Sequence, residues 1–439
     1  MNELIFSRRR VVGSALAMAA AGFCHSSASA GSGPAEVRLR TRGQDAAPLS
    51  LAMLDRHWKA IEPLADDYAA DAGIELKVSP LEYDELYTQL SLALTQRAGT
   101  FDVVLLSDAW IPQFATFLTQ LDISSDQAAG FVPVSFELGR YPTDSLPCAL
   151  PWLGETQFFV SRPEWLQRAG HVPPVTWDDT VECATVVAEQ LEPDGDLAAF
   201  GIRSLDGHQL VDSFLPVLRG FGKNLIDTES SIPQLDTAEA LAAMQVFMNL
   251  VALSPEESAA VDAPDNAERF AAGQISMMAN FWSSDLLSAR LEPPVSDAGP
   301  LASTLQPAQA GIEHRTMSGV WLAGIPVGSH APDVARKFLG WLTGRECQAQ
   351  LPELSLPPVL TDVLEDERLS ERFPDLPVLL EMLEKATPRS RSPFYPQLEL
   401  LVATELQHAV AGDESGEEAM KKANVALREF LVREGVLTA

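Results

Sequence analysis

Between residues 49 and 106, short apolar runs alternate with segments whose apolar side chains recur at helical spacing. The runs have the length and apolar content of strands, and they are Leu49–Leu54, Ile74–Val78 and Phe101–Leu106. Leu86, Leu90 and Leu94 mark one face of a helix that is predicted between the last two runs and stops at Gly99. Because strands and helices follow one another in turn, the pattern predicts an α/β fold with a parallel sheet covered by helices.

Chain length and charge narrow the class of protein. At 439 residues the chain exceeds the usual size of a single hydrophobic core, so two domains are expected. The formal net charge is −30, whereas nucleic acids and anionic membrane surfaces attract basic proteins. We therefore expect no nucleic-acid partner. No spacing of cysteines and histidines is typical of a metal site, and no metal or other cofactor is expected.

The N-terminus has the pattern of an export signal. Arg8–Arg10 precede a weakly apolar stretch over residues 11–23, and Ala28–Ala30 then offers a small-x-small cleavage site. This pattern predicts a signal peptide at residues 1–30 and a periplasmic mature protein. The arginines and the modest hydrophobicity favour the twin-arginine route, with an ordinary signal peptide as the alternative. Residues 31–47 are predicted to form a flexible leader.

Cys148, Cys183 and Cys347 remain in the mature chain once Cys24 is removed with the signal. An odd number of cysteines cannot pair completely. We expect buried thiols that pack as small apolar side chains. A disulfide between Cys148 and Cys183 is the alternative.

Two candidate ligand residues follow a predicted strand directly. Asp108 and Trp110 come just after the run that ends at Leu106. Ligand sites in open α/β sheets gather at the carboxyl ends of the strands, which favours ligand contact for Trp110 and makes Asp108 equally a candidate for ligand contact or for a structural role. The structural alternatives are a helix N-cap for Asp108 and core packing for Trp110.

The segment from 146 to 179 contains an ordered set of start and stop signals. Pro147 and Pro151 keep the chain extended, because the proline ring fixes φ and restricts the preceding residue. A strand is predicted at Gln157–Val160 and a helix from Pro163 to a C-cap at Gly170. A second helix is predicted to start after the turn that follows.

This order resembles the start of the second lobe in the bacterial extracellular solute-binding proteins that serve sugar ABC importers. Asn266–Met278, Ser318–Pro326 and the helix predicted at 332–343 resemble further family segments in the same order, and the first of them implies a short strand at Ile275–Ala279. Ser415 and Glu418 have the spacing of a capping box at the start of a late helix. The resemblance implies a maltose-binding-protein-like, type II periplasmic-binding-protein fold, with two discontinuous α/β lobes, a hinge, and a ligand cleft between them. The implied lobes are 48–152 with 318–358, and 153–317 with 359–439.

The same resemblance implies several ligand contacts. Asp55 and His57 follow the first strand, where relatives reach the ligand, in a segment predicted to be a loop. Glu155 matches a polar contact just past the first crossing, and Gln157 lies on the same strand face. Tyr395 resembles a late aromatic residue that closes the cleft from the second lobe, with a structural tyrosine as the alternative. Asp285 is a candidate contact as well, with a cap for the helix that starts there as the alternative.

Four tryptophans suggest the kind of ligand. Trp110, Trp152, Trp282 and Trp321 occupy predicted loop or crossing positions near the cleft, with core packing as the alternative for each. An aromatic plane covers the apolar face of a sugar ring, while carboxylates and amides bind its hydroxyl groups. These residue types therefore favour a carbohydrate ligand.

The function implied is that of a substrate-binding protein of an ABC carbohydrate importer. We expect a monomer that captures a sugar, sugar alcohol or short oligosaccharide by hinge closure and delivers it to a membrane permease. The alternatives are the same fold binding a polyamine, which the acidic charge would suit, or acting as a ligand sensor. A secreted carbohydrate-active enzyme is disfavoured, because the sequence has no nucleophile elbow, HExxH motif or phosphate loop.

Overall fold

The computed structural model describes residues 37–38, 47–190, 197–202, 207–255, 266–291 and 299–438. The predicted signal peptide and most of the predicted leader lie outside these ranges. The chain forms two compact units: unit 1 comprises the residues up to Glu155 together with Gly319–Glu384, and unit 2 comprises Thr156–Ser318 and Lys385–Ala439.

The regular elements are named here in chain order. The strands are β1 (Val37–Arg38), β2 (Leu49–Leu54), β3 (Leu76–Leu81), β4 (Val103–Ser107), β5 (Ala149–Leu153), β6 (Thr156–Ser161), β7 (Met277–Trp282), β8 (Ala302–Thr304), β9 (Thr316–Ser318), β10 (Trp321–Gly324) and β11 (Ala386–Thr387). The helices are α1 (Asp55–Ala72), α2 (Tyr83–Gln96), α3 (Ile111–Phe114), α4 (Ser125–Gly130), α5 (Pro133–Leu138), α6 (Pro163–Arg168), α7 (Trp177–Gln190), α8 (Gly207–Gly220), α9 (Ala238–Ala252), α10 (Asn266–Ala271), α11 (Ser283–Leu291), α12 (Pro332–Leu342), α13 (Arg345–Gln348), α14 (Thr361–Leu364), α15 (Glu367–Arg372), α16 (Leu376–Glu384), α17 (Tyr395–Ala411) and α18 (Gly416–Arg433).

Unit 1 is built on a sheet with the order β1-β3-β2-β4-β10-β5. Strands β2, β3 and β4 are parallel, and β10 is antiparallel to both β4 and β5, so β5 runs in the same direction as β4. The carboxyl ends of β2 to β5 therefore share one edge with the amino end of β10. This arrangement confirms the predicted α/β class and the predicted parallel pairing.

Unit 2 is built on a second sheet, β11-β9-β6-β7, with β8 also paired to β6. Strand β6 is antiparallel to β7, β8 and β9, and β11 is parallel to β9. Thr156 pairs with Ser318, and Gln157 pairs with Trp282. The amino end of β6 therefore lies at the same edge of the sheet as the carboxyl ends of β7 and β9.

Left-handed caps end the first two helices. Gly73 follows α1 with φ of +65°, where its N–H donates to the carbonyls of Ala69 and Ala70. Helix α2 was predicted to stop at Gly99 but ends at Gln96, because Arg97 takes the left-handed cap itself. Gly99 is still needed as glycine: a Cβ there would lie 2.8 Å from the carbonyl oxygen of Gly328.

Two sequence predictions near the site were wrong in detail. Helix α1 begins at Asp55, so Asp55 and His57 lie in its first turn rather than in a loop. Strand β7 covers Met277–Trp282 instead of the predicted Ile275–Ala279. The reason is tertiary, since the ladder with β6 continues until Trp282 meets Gln157.

The third passage of the chain between the units also differs from the prediction. Residues 359–384, which were expected in the second lobe, belong to unit 1. Backbone hydrogen bonds hold the start of this segment there: Val132 N donates to the Val359 carbonyl and Gly154 N to the Pro357 carbonyl. A bridge between Phe131 and Leu360 continues the same contact.

Cys148, Cys183 and Cys347 are buried and form no disulfide among the described residues, as expected. Burial, with a smaller effect from a neighbouring glutamate in each case, raises the pKa of Cys183 to about 11 and that of Cys347 to about 12. Both thiols are therefore protonated and unreactive at neutral pH. Within the described residues, no helix is long and apolar enough to cross a bilayer.

Candidate ligand-binding site

The carboxyl-end edge of the unit 1 sheet carries a cluster of aromatic side chains. Trp321 opens β10 and pairs with Ser107 of β4 and Leu153 of β5. Its ring centroid lies 4.9 Å from His57 and 5.8 Å from Trp110, and His57 lies 5.6 Å from Trp152, all in near-perpendicular contacts. The structure thus brings together four of the predicted site residues.

Two tyrosines that the sequence analysis missed complete this cluster. Tyr83, the first residue of α2, lies 4.8 Å from Trp110 and 6.2 Å from Trp321 between ring centroids. Tyr87, one helical turn later, lies 5.4 Å from Trp110. The signal was available, because α2 follows the carboxyl end of β3, where ligand residues of a parallel sheet gather. We call Tyr83, Tyr87 and the four predicted residues the unit 1 cluster.

His57 is a buried, neutral imidazole. Burial, reinforced by the charge of Arg56, holds the pKa of His57 well below its ordinary value of 6.5. Neither ring nitrogen has a hydrogen-bond partner among the described residues, and the same holds for the indole nitrogen of Trp152. An unsatisfied buried polar group costs about 1–3 kcal/mol and therefore calls for an explanation, such as a ligand or a water molecule.

The two predicted aspartates of unit 1 have structural partners. Asp55 forms an ion pair with Lys59 one turn later, with 2.5 Å between Oδ2 and Nζ. Asp108 is buried at the start of a short 3₁₀ turn, where its N–H donates to the Val320 carbonyl at 3.0 Å. The cap proposed for Asp108 belongs instead to Ser107, whose hydroxyl accepts from Ala109 N.

Glu155 is the last residue of unit 1 before the first passage of the chain into unit 2. Its side chain is buried, and its carbonyl accepts a hydrogen bond of 2.9 Å from Gly319 N. Gly319 begins the second segment of unit 1. The end of the first unit 1 segment is therefore hydrogen-bonded to the start of the second, beside the edge that carries the unit 1 cluster.

In unit 2, the edge of the sheet at the amino end of β6 carries Gln157 and Trp282 as a cross-strand pair. Gln157 is fully buried, and neither polar atom of its side chain has a protein partner in the part of the chain that the structure describes. Trp282 is half-buried, and its backbone N–H donates to Oδ2 of Asp285 at 3.1 Å. Asp285 therefore holds the first turn of α11, as one of the two sequence interpretations proposed.

A buried ion pair that the sequence analysis missed lies at the same edge. Arg389 Nη2 and Nε donate to the two carboxylate oxygens of Asp212 at 2.6 and 3.1 Å. Arg389 Nη1 donates to the carbonyl of Ser318, the last residue of β9, at 3.0 Å. The guanidinium lies 5.9 Å from the ring centroid of Trp282. The available signal was a charged residue, Asp212, inside the otherwise apolar face of α8.

Tyr395, the first residue of α17, is buried beside this ion pair. Burial is the main cause that raises the pKa of its hydroxyl well above the ordinary value, followed by the charge of Glu399. Arg389 and Arg219 act in the opposite direction, and Asp212 acts with Glu399. The hydroxyl is therefore a neutral group, and no described residue accepts or donates a hydrogen bond to it.

Each edge offers aromatic faces next to uncharged donors and acceptors, and each also holds buried charged side chains: Asp108 and Glu155 in unit 1, and the Asp212–Arg389 pair in unit 2. His57, Trp152, Gln157 and Tyr395 can each make hydrogen bonds that the described protein atoms leave unmade. Across the described ranges, no group of three or more histidine, cysteine or acidic side chains could hold a metal ion. Taken by itself, the set of uncharged groups in each unit suits a molecule with hydroxyl groups and an apolar face.

Comparison with known proteins places the chain in a family. The family model described as bacterial extracellular solute-binding protein matches residues 59–349. A probable amino-acid ABC transporter periplasmic-binding protein of Sinorhizobium fredii is 24% identical over 409 residues, which cover 88% of this chain and 90% of that protein.

Solved structures of the same family share the fold. Maltose-bound MalE3 of T. maritima is 22% identical with a TM-score of 0.77, covering 88% of this chain and 100% of that one. A solute-binding protein of an ABC transporter from Agrobacterium radiobacter K84, in complex with ribitol, is 21% identical with a TM-score of 0.79, covering 88% and 99%. The resemblance seen in the sequence and the predicted type II periplasmic-binding-protein fold are thus confirmed, and the chain belongs to the bacterial extracellular solute-binding protein family.

Proposed function

We propose that the protein is the substrate-binding subunit of an ABC importer and that its ligand is an uncharged sugar or sugar alcohol. The observation that carries this proposal is the set of buried, neutral polar groups at the strand edges of both units, next to tryptophan and tyrosine rings. Sugar hydroxyls both donate and accept hydrogen bonds, so they can satisfy an imidazole, an amide, an indole and a phenol together.

The charge state of these groups favours a neutral ligand over an amino acid, whereas the buried carboxylates of Asp108 and Glu155 keep a polyamine as an alternative. His57 stays neutral because of burial, and Tyr395 stays protonated for the same reason. Arg389, which could bind a carboxylate, is engaged by Asp212. The carboxylate of an amino-acid ligand would have to be desolvated beside a guanidinium that Asp212 already engages, which is costly in a buried site. The maltose and ribitol bound by the two structural relatives agree with this choice.

The name of the Sinorhizobium fredii relative favours an amino acid instead, and that is the second candidate. The ligand panel described below separates the two, since the same purified protein is offered both classes of solute. A polyamine is included because the net charge of −30 would attract it.

Capture by closure of the two units fits the path of the chain. The chain passes between the units after Glu155, after Ser318 and after Glu384. The first two passages leave each unit at the edge that carries its candidate ligand residues. A ligand that binds both edges would favour a closed form, because only that form makes all the contacts. We propose that the closed monomer, exported to the periplasm after loss of residues 1–30, docks on a membrane permease. Reporting the ligand to a receptor is the alternative use of the same event.

The direct test is a thermal-shift and calorimetric screen of the chain from residue 31 onwards. The panel contains maltose, ribitol, putrescine, glutamate and glutamine. A ligand present at 100 times its Kd should stabilise the protein by about 2.7 kcal/mol. We expect stabilisation by a carbohydrate, and stabilisation by putrescine or an amino acid alone would overturn the proposal.

Matched variants locate the site. Trp282→Ala should weaken carbohydrate binding by about two- to tenfold, because an aromatic contact contributes about 0.5–1.5 kcal/mol beyond its buried area. Trp341→Ala is the control: Trp341 is also half-buried but stacks on Tyr68, with 4.6 Å between ring centroids, on helices of unit 1. Equal loss of binding in both variants would show that the edge assignment is wrong.

A further inference from the structure

The ion pair between Asp212 and Arg389 has a geometry suited to setting ligand charge preference. The two side chains are 9% and 5% exposed, and the carboxylate meets the guanidinium through both of its oxygens. Such bidentate contacts are the strong, orientation-fixing form of an ion pair. The third guanidinium donor meets the carbonyl of Ser318, so the charged group is held at the end of β9.

The neighbours of this pair balance each other in charge. Tyr395 experiences the charges of four side chains: the guanidinium groups of Arg219 and Arg389 and the carboxylates of Asp212 and Glu399. Arg219 is itself fixed, since it donates to the carbonyls of Thr387 and Pro388 at 2.9 and 2.7 Å. Next to the Trp282 ring, the carboxylate of Asp212 therefore compensates the charge of the Arg389 guanidinium directly, through the two hydrogen bonds of the pair.

We propose that Asp212 is a specificity-determining residue, because its carboxylate cancels the charge of Arg389 and so makes the unit 2 edge select neutral over acidic carbohydrates. This inference rests on the proposed function. Asp212 does not have to touch the ligand, so it acts as a positioning and charge-compensating residue.

Removing the charge of Asp212 should favour acidic ligands, and removing the charge of Arg389 should favour basic ligands. Asp212→Asn keeps the shape of the side chain and leaves the edge with an excess positive charge. A carboxylate on the ligand can then form charge-assisted hydrogen bonds with the guanidinium. Arg389→Met keeps much of the volume and leaves an excess negative charge, which an ammonium group on the ligand can neutralise. Hydrogen bonds to charged groups correspond to changes of about tenfold to a hundredfold in affinity.

The experiment measures the affinities of glucose, glucuronate and glucosamine by calorimetry, and those of maltose and ribitol as additional neutral ligands. For the wild type we expect the neutral compounds to bind and glucuronate to bind more weakly than glucose. Asp212→Asn should raise the glucuronate-to-glucose affinity ratio at least tenfold, and Arg389→Met should raise the glucosamine-to-glucose ratio. Asp333→Asn, which removes an exposed partner of Arg336 at 2.9 Å, should change neither ratio.

The outcomes separate this inference from the proposed function. If the wild type binds none of the neutral carbohydrates, the proposed function is refuted, and the charge-selection inference is refuted with it. If the wild type binds a neutral carbohydrate but both variants keep its ratios, only the charge-selection inference is refuted. If the ion pair were purely structural, both variants would be less stable than the wild type, and their glucuronate-to-glucose and glucosamine-to-glucose affinity ratios would stay unchanged. Either variant alone is sufficient, so failure of one to fold leaves the other as the test.

Discussion

Asp102 directly precedes β4, and its side chain accepts hydrogen bonds from two other parts of unit 1. One carboxylate oxygen accepts from the Ser329 hydroxyl at 2.7 Å and from the backbone nitrogens of His330 and Ala331 at 2.9 and 3.1 Å. The other oxygen accepts from Ser50 N at 3.0 Å. The side chain thus ties the start of β2 to the turn before α12. We predict that this carboxylate stabilises the scaffold of the unit 1 cluster, because β2 and β4 lead to His57 and Trp110.

The expected magnitude follows from the donors that would lose their acceptor. Asp102 is 4% exposed, and a hydrogen bond to a charged group contributes about 1.5–3 kcal/mol. The four bonds share one side chain, and some donors would regain water, so the sum is not additive. We expect Asp102→Ala to lower the free energy of unfolding of unit 1 by about 2–4 kcal/mol, more than the value of one such bond and less than the sum of four. Asp102→Asn should cost less, since one oxygen remains while the new amide group faces the Ser50 donor.

Urea unfolding followed by tryptophan fluorescence and by calorimetry measures this effect. Asp333→Ala is the control, because Asp333 lies in the first turn of α12 with a side chain that is 92% exposed. A loss below about 1 kcal/mol for Asp102→Ala would refute the reasoning, since even one unsatisfied buried donor costs about that much. Equal losses for the alanine and asparagine variants would show that the retained oxygen contributes nothing.

Two further predictions concern pH and a helix cap. Because the pKa of His57 lies well below 6.5 in the folded state, the unfolded chain binds a proton that the folded chain does not. Stability contributed by His57 should therefore be complete above about pH 6.5 and decrease below it by at most about 1.4 kcal/mol per pH unit. His57→Gln should flatten this part of the curve of urea midpoint against pH, and an identical curve would contradict a neutral buried imidazole. Ser415→Ala should lower the stability of unit 2 by about 0.5–2 kcal/mol in calorimetry, since Ser415 and Glu418 form a capping box for α18. Glu418→Gln keeps a side-chain acceptor and should change stability little, so a loss equal to that of Ser415→Ala would argue against the reciprocal cap.

Features encoded within a few consecutive residues were predictable. The strand Leu49–Leu54 has the predicted bounds, and the Ser415–Glu418 capping box forms as its spacing indicated. Helix α12 also begins at the predicted Pro332. Periodicity and capping depend on neighbours along the chain, so their physical cause is visible in the sequence. The candidate residues at strand ends were predictable for the same reason, because the order of elements fixes which residues follow a strand.

Contacts between distant segments were decided by the tertiary structure. Arg389 and Asp212 are 177 residues apart, and no local pattern connects them. The extent of β7 depends on its ladder with β6, and the place of residues 359–384 depends on backbone hydrogen bonds to Val132 and Gly154. The sequence by itself thus determined the α/β class, the order of elements and the family, since these follow from local spacing. Only the tertiary structure decided which buried charges meet and which polar groups stay unsatisfied, because both depend on packing between segments far apart in the chain.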